Sequence, residues 1–206
     1  MNDLVAVDVY FDFACPFVHS AAAWLRQVQQ QSGDGQVEIT WKFFPLEQIN
    51  APPDAEAPIW DLPSDRRSRG RDSLHAAAAA RRQGGDAFNR FHEAVLTLKH
   101  EEGQDHGKRS TLDEAAQRAG LDLGRFAVDL DDRDLLQEIR NDYVAGREGY
   151  GVFGTPTLVF PNGQSAYLQI LPPPPPDEAV PLWNDVVRAV QDRPYLLEIK
   201  RSKRPR

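Results

Sequence analysis

One stretch near the start of the chain leaves it few ways to fold. Val5 to Phe13 (Val-Ala-Val-Asp-Val-Tyr-Phe-Asp-Phe) is rich in β-branched and aromatic residues, interrupted only by Asp8 and Asp12, and reads as a buried strand. Cys15, the only cysteine of the 206 residues, follows and is succeeded at once by Pro16. Phe17 to Gln31 then sets Ala21, Trp24, Leu25 and Val28 at helical spacing. Proline is favoured in a first helical turn, because the N–H it lacks would have had no partner there. The pattern places Cys15 at the joint between a strand end and a helix N-terminus.

Such a joint has chemistry of its own. The first N–H groups of a helix have no intrahelical acceptor, and the summed peptide dipoles add partial positive charge. Both favour thiolate over thiol, and a cysteine there can fall from a pKa of about 8.5 to roughly 3.5–7.5. The competing expectation for a lone cysteine is a small buried hydrophobe. A second feature bears on the choice. Gly154-Thr155-Pro156-Thr157 precedes another strand-like run, ending at Phe160. Strand interiors exclude proline, so Pro156 belongs at a strand start or a special turn, and Thr155-Pro156 is a candidate cis bond.

Phe11-Asp-Phe-Ala-Cys-Pro16 before a helix, with Gly151-Val-Phe-Gly-Thr-Pro-Thr157 before a strand, resembles the DsbA-like branch of the thioredoxin superfamily. Within it the chain is most similar to the cytoplasmic FrnE-type oxidoreductases, relatives of 2-hydroxychromene-2-carboxylate isomerases and kappa-class glutathione transferases. The resemblance implies an α/β thioredoxin-like fold with a helical insertion. Residues 1–50 and 146–200 would form the thioredoxin-like domain, 51–145 the insertion and 201–206 a basic tail. It implies that Cys15 and Pro16 are the active-site pair, and that Thr155 and Pro156 offer backbone groups to an extended thiol substrate. The dithiol members carry Cys-Pro-x-Cys, whereas here Val18 stands at the resolving position. No internal disulfide can form, so the expected activity is monothiol exchange, a mixed disulfide at Cys15 being resolved by glutathione or another small thiol. Two alternatives share the fold: a glutathione-dependent isomerase or transferase, and a redox-inactive scaffold for a protein partner.

The rest of the chain fits that layout. Val37 to Phe44 alternates apolar and polar residues, predicting a second strand parallel to the first. Pro45 to Pro63 reads as a loop, and Asp65 to Gln83, with Ala76 to Ala80 at its centre, as a helix. Phe88, Phe91, His92, Val95 and Leu98 mark an amphipathic helix, and Thr111-Leu-Asp-Glu114 reads as a capping box opening a third. Asp122 to Leu130 and Asp132 to Glu148 are the last helices before the Pro156 loop. Asn162-Gly163 predicts a hairpin, Pro172 to Pro176 a stiff connector, and Asp177 to Gln191 a closing helix.

Composition sets outer limits. With 41% apolar and 27% charged residues a core is available, and the net charge of −7 argues against a nucleic-acid partner. No apolar run approaches a membrane span or a signal core, which with the single cysteine leads us to expect a cytoplasmic protein. His19, one turn beyond Cys15, is a candidate for stabilising its thiolate or binding substrate. Phe17 is a candidate apolar wall of the site, and Phe13 a core residue. His75, His92, His100 and His106 show no metal-ligand spacing and are expected on helix surfaces. Arg66, Arg67, Arg69 and Arg71 read as a charged face, with a lesser claim to bind an anionic cosubstrate. No phosphate-binding or dinucleotide fingerprint is present.

Overall fold

The computed structural model describes residues 4–33 and 35–201. The central strand, β1 (Val5–Phe11), is flanked by β2 (Val37–Phe43) and β3 (Thr157–Val159), and β4 (Ser165–Tyr167) lies at the far edge, giving the order β2-β1-β3-β4. β1 and β2 run parallel, with Val5 opposite Val37 and Phe11 opposite Phe43, joined by α1 (Pro16–Ser32) as the crossover. β3 is antiparallel to β1, with Tyr10 opposite Thr157, and the Asn162-Gly163 turn returns the chain as β4. Gly163 has φ 79°, the left-handed conformation that such a turn needs.

Between β2 and β3 the chain is helical: α2 (Leu46–Ile49), α3 (Arg69–Arg81), α4 (Gly85–His100), α5 (Arg109–Arg118), α6 (Leu123–Asp129) and α7 (Leu136–Val144). α8 (Ala179–Gln191) closes the fold against α1, where the Trp24 indole donates to the Ala179 carbonyl and its ring meets Trp183 edge-on. The main hydrophobic core runs through both parts, joining Phe11 and Phe43 of the sheet and Trp24 of α1 to Leu74, Phe91 and Ile139 of the helical layer. The five alanines of α3 are all fully buried, and their small side chains let that helix approach its neighbours closely.

Several expectations need correcting. β1 stops at Phe11, not Phe13, because Asp12 turns the chain. One helical turn, α2, lies inside the Pro45–Pro63 segment. The α5 helix starts at Arg109 with Lys108 as its N-cap, so Thr111 is no cap; it is buried and donates to Gln104 Oε1. Asp132 to Glu148 is not one helix but a 3-10 turn, α7 and a π turn over Ala145–Gly149.

Candidate active site

The site is built where β1 ends. Asp12, fully buried, receives the Ala14 N–H on Oδ1 at 2.8 Å and the Leu46 N–H on Oδ2 at 2.6 Å. Both carboxylate oxygens thus tie the Cys15 loop to the start of α2. Burial pushes the Asp12 carboxyl up, the two N–H donors pull it back, and nearby Glu47 adds to the rise. Glu47 itself accepts from the Ser68 hydroxyl and the Gly70 N–H, fixing the N-terminus of α3. Sequence reading noted Asp12 only as an interruption of the strand. Its sign is that it is the second acid of an otherwise apolar run, three residues before the cysteine.

Cys15 is the N-cap of α1 and Pro16 its first residue. The Phe17 N–H, next in line, has no intrahelical acceptor by position. Cys15 Sγ donates to the Thr155 carbonyl oxygen at 3.1 Å, across 140 residues of sequence. The Thr155–Pro156 peptide is cis, and Thr155 and Pro156 are buried. The structure therefore brings together four of the sequence-derived candidates: Cys15, Pro16, Thr155 and Pro156. The sulfur is less open than expected, for Cys15 is only 6% exposed and belongs to the edge of the main core. Val18, where a second cysteine would stand, is wholly buried, while Pro16 is exposed and Phe17 half-buried against the core. Phe13 is core, as expected.

His19 finds its partners at the end of α4. Its Nε2 pairs with Glu101 Oε1 at 3.0 Å, and its ring stacks on His100. His100 Nε2 in turn bonds the Phe13 carbonyl at 2.8 Å, so the end of α4 holds the loop from the other side. The histidines are not a surface set. His92 is buried in a box formed by Phe11, Phe13, Trp41 and Phe88, its Nε2 without a hydrogen-bond partner, and His106 is buried too. Histidine tolerates both settings, and its spacing on α4 did not separate them. His75 is half-buried and bonds the Asp132 carbonyl.

The arginines are occupied by the protein itself. Arg71 is buried among the Leu62, Pro63 and Arg66 carbonyls and Asp72. Arg67 and Arg69 share Asp105, and Arg66 pairs with Glu56. Among the described residues no group of three or more His, Cys, Asp or Glu side chains is arranged to hold a metal ion, and no helix is long and apolar enough to cross a membrane.

The family model of the DSBA-like thioredoxin domain matches residues 6–177. An uncharacterised protein of Mycobacterium tuberculosis, Rv2286c, is 31% identical over 205 residues, covering 98% of this chain and 84% of the relative. Among solved structures, a thioredoxin-like oxidoreductase from Silicibacter pomeroyi superposes with a TM-score of 0.60 at 21% identity, covering 91% of this chain and 87% of its own. The cytosolic disulfide reductase DsbM from Pseudomonas aeruginosa does so with a TM-score of 0.60 at 15% identity, covering 90% of this chain and all of its own. The family match over most of the length, with fold similarity over nine-tenths of it, leads to one assignment: the chain belongs to the family of the DSBA-like thioredoxin domain.

Proposed function

We propose that the protein is a monothiol thiol-disulfide oxidoreductase acting through Cys15. The observation that carries this reading is the pairing of Cys15 Sγ with the Thr155 carbonyl, directly before cis-Pro156, at the head of α1. The Cys15 thiolate attacks one sulfur of a substrate disulfide. A bond forms between the two sulfurs, and the other substrate sulfur leaves as a thiolate and takes up a proton. With Val18 in the resolving position, release falls to an external thiol such as glutathione. Its thiolate attacks the sulfur bound to Cys15, restoring Cys15 and forming a new disulfide. One substrate disulfide is reduced for each new one formed, and the electrons balance.

The partial positive end of α1 stabilises the thiolate in each half-reaction, and the Thr155–Pro156 backbone aligns the incoming chain. A reducing compartment, the cytoplasm, suits a lone exchangeable thiol. The DsbM reductase, a structural relative, is described as cytosolic.

Incubation with oxidised glutathione near neutral pH, followed by intact mass, tests the reading. A single adduct, reversed by reduced glutathione and absent from Cys15→Ala, is expected. No adduct after hours at millimolar disulfide rejects it. One observation favours a second reading: the low exposure of Cys15 suits a redox-inactive scaffold. A scaffold keeps its partner after Cys15→Ala, whereas an exchange enzyme loses turnover. Under the isomerase or transferase alternative, glutathione binds without oxidation and no adduct forms.

A further inference from the structure

We propose that His100 is a positioning residue for Cys15, because the end of α4 grips the chain on both sides of that cysteine. The inference rests on the exchange chemistry proposed above and names the residue that holds its thiol in place. Two residues before Cys15, the Phe13 carbonyl accepts from His100 Nε2 at 2.8 Å. Four residues after it, His19 stacks on the His100 ring, with 5.3 Å between centroids and 22° between planes. The Nε2 of His19 pairs with Glu101, the C-cap of α4.

Most ties of the loop between β1 and α1 are to itself or to the sheet side. The Phe11 carbonyl receives the Phe44 N–H, the Asp12 carbonyl the Cys15 N–H, and the Cys15 carbonyl the Val18 N–H. The Phe13 carbonyl is met instead by α4. Phe13 is fully buried, where a carbonyl without a partner is costly. A carbonyl only accepts, so Nε2 of His100 carries the proton. Burial holds the half-buried His100 below its ordinary range; the bond to Phe13 pulls it back, and His19 and Lys99 lower it further. The ring is therefore neutral at pH 7, with its one N–H committed to the loop. His19 and Glu101 are both partly exposed, so their pair orients the stacked ring and adds little strength.

This grip fixes how β1 hands over to α1. Cys15 is the N-cap, and its Sγ donates to the Thr155 carbonyl. A thiolate has no proton to donate, so ionisation removes that bond and leaves a carbonyl dipole facing a negative sulfur. A slack loop would let the sulfur leave the helix N-terminus. A loop held at Phe13 and at His19 keeps it at the head of α1, where the first N–H groups lack acceptors and where attack on a disulfide is in line.

Two substitutions at one position test the proposal. His100→Gln keeps an N–H donor of similar reach, and His100→Leu keeps bulk without one. The readouts are the rate of Cys15 alkylation by iodoacetamide against pH and the rate of adduct formation with oxidised glutathione, each where circular dichroism shows the variant folded. His100→Leu should slow both by at least about fivefold near neutral pH and move the alkylation midpoint upward, and His100→Gln should recover most of the loss. Parent rates in His100→Leu, equal losses in both variants, or a lower melting temperature with unchanged alkylation overturn the proposal. Should His100→Leu not fold, His19→Ala decides. It removes the stack at a partly exposed position, and a slowing of about twofold or more is expected, while none overturns the proposal. A parent that forms no glutathione adduct rejects the exchange reading, whereas alkylation still reports whether His100 holds the thiol.

Discussion

Asp12 is the residue on which the geometry of the thiol loop turns. Its two oxygens serve two different backbone N–H groups, Ala14 on the Cys15 side and Leu46 on the α2 side. Asp12→Asn keeps the size but turns one oxygen into an NH₂ that faces an N–H donor. One buried donor loses its acceptor, a cost of about 1–3 kcal/mol. Urea unfolding should show a loss in that range, and a change below about 0.5 kcal/mol would mean that the two bonds hold nothing. The sequence showed the position of Cys15 and Pro156 because both carry backbone signatures: a helix start and a strand entry. It did not show the role of Asp12, because an acid's partners are chosen by tertiary contact. His19 illustrates the same limit. Its one-turn spacing from Cys15 was legible, but His100, which ends α4, and Glu101, which caps it, decide where the ring lies.

At the scale of elements, the junction between α7 and the Pro156 loop depends on a close approach. Gly146, in the π turn, lies so near the buried Tyr10 ring that an added Cβ would sit 2.6 Å from its Cε1. Tyr10 is only 1% exposed and cannot swing away. Gly146→Ala should therefore destabilise the fold by about 1–3 kcal/mol through overpacking, although alanine is the better helix former. A thermal melt equal to that of the parent would refute the packing argument. The outer edge of β2 shows elements guarding one another. Gln36 O and Phe44 N face β1, so alternate residues turn their backbone outward. Gln29 bonds the Val37 carbonyl, Arg81 the Trp41 carbonyl, and Asp142 the Phe43 N–H. Side chains from α1, α3 and α7 thereby stand in for a neighbouring strand and discourage edge pairing.

For the whole molecule, buried histidines make stability depend on pH. Burial chiefly, then Lys99, holds His106 down at about 4, and burial with Arg26 and Arg81 holds His92 well below the ordinary 6.5. In both cases the folded pKa lies below the unfolded one, so within that window the unfolded chain binds the additional proton. The stability is full above about pH 6.5 and is lost as pH falls toward about 4. Asp12, whose carboxyl is pushed up, works in the opposite sense at the acid end of the window. A single variant separates the two. His92→Phe has room, because a cavity of about 70 Å³ adjoins the ring, and it removes one titrating group. The urea midpoint of the parent should fall between pH 7.5 and 5, and that of His92→Phe should fall less. Equal losses would exclude His92 as a contributor.

The sequence by itself determined most of the order of elements and the two motifs, because strand alternation, helical spacing, Pro16 and Pro156 act through local backbone preference, and the resemblance of those motifs to a known family implied the thioredoxin-like frame; the short α2 and the breaks around α7 were not legible. It also determined that no internal disulfide exists, since one cysteine cannot form one. Only the tertiary structure decided how far the sulfur is covered, which histidines enter the core, and which arginines are already engaged. Those outcomes depend on which distant side chains share a space, and residues such as histidine, aspartate and arginine are at home both in water and, when paired or packed, inside.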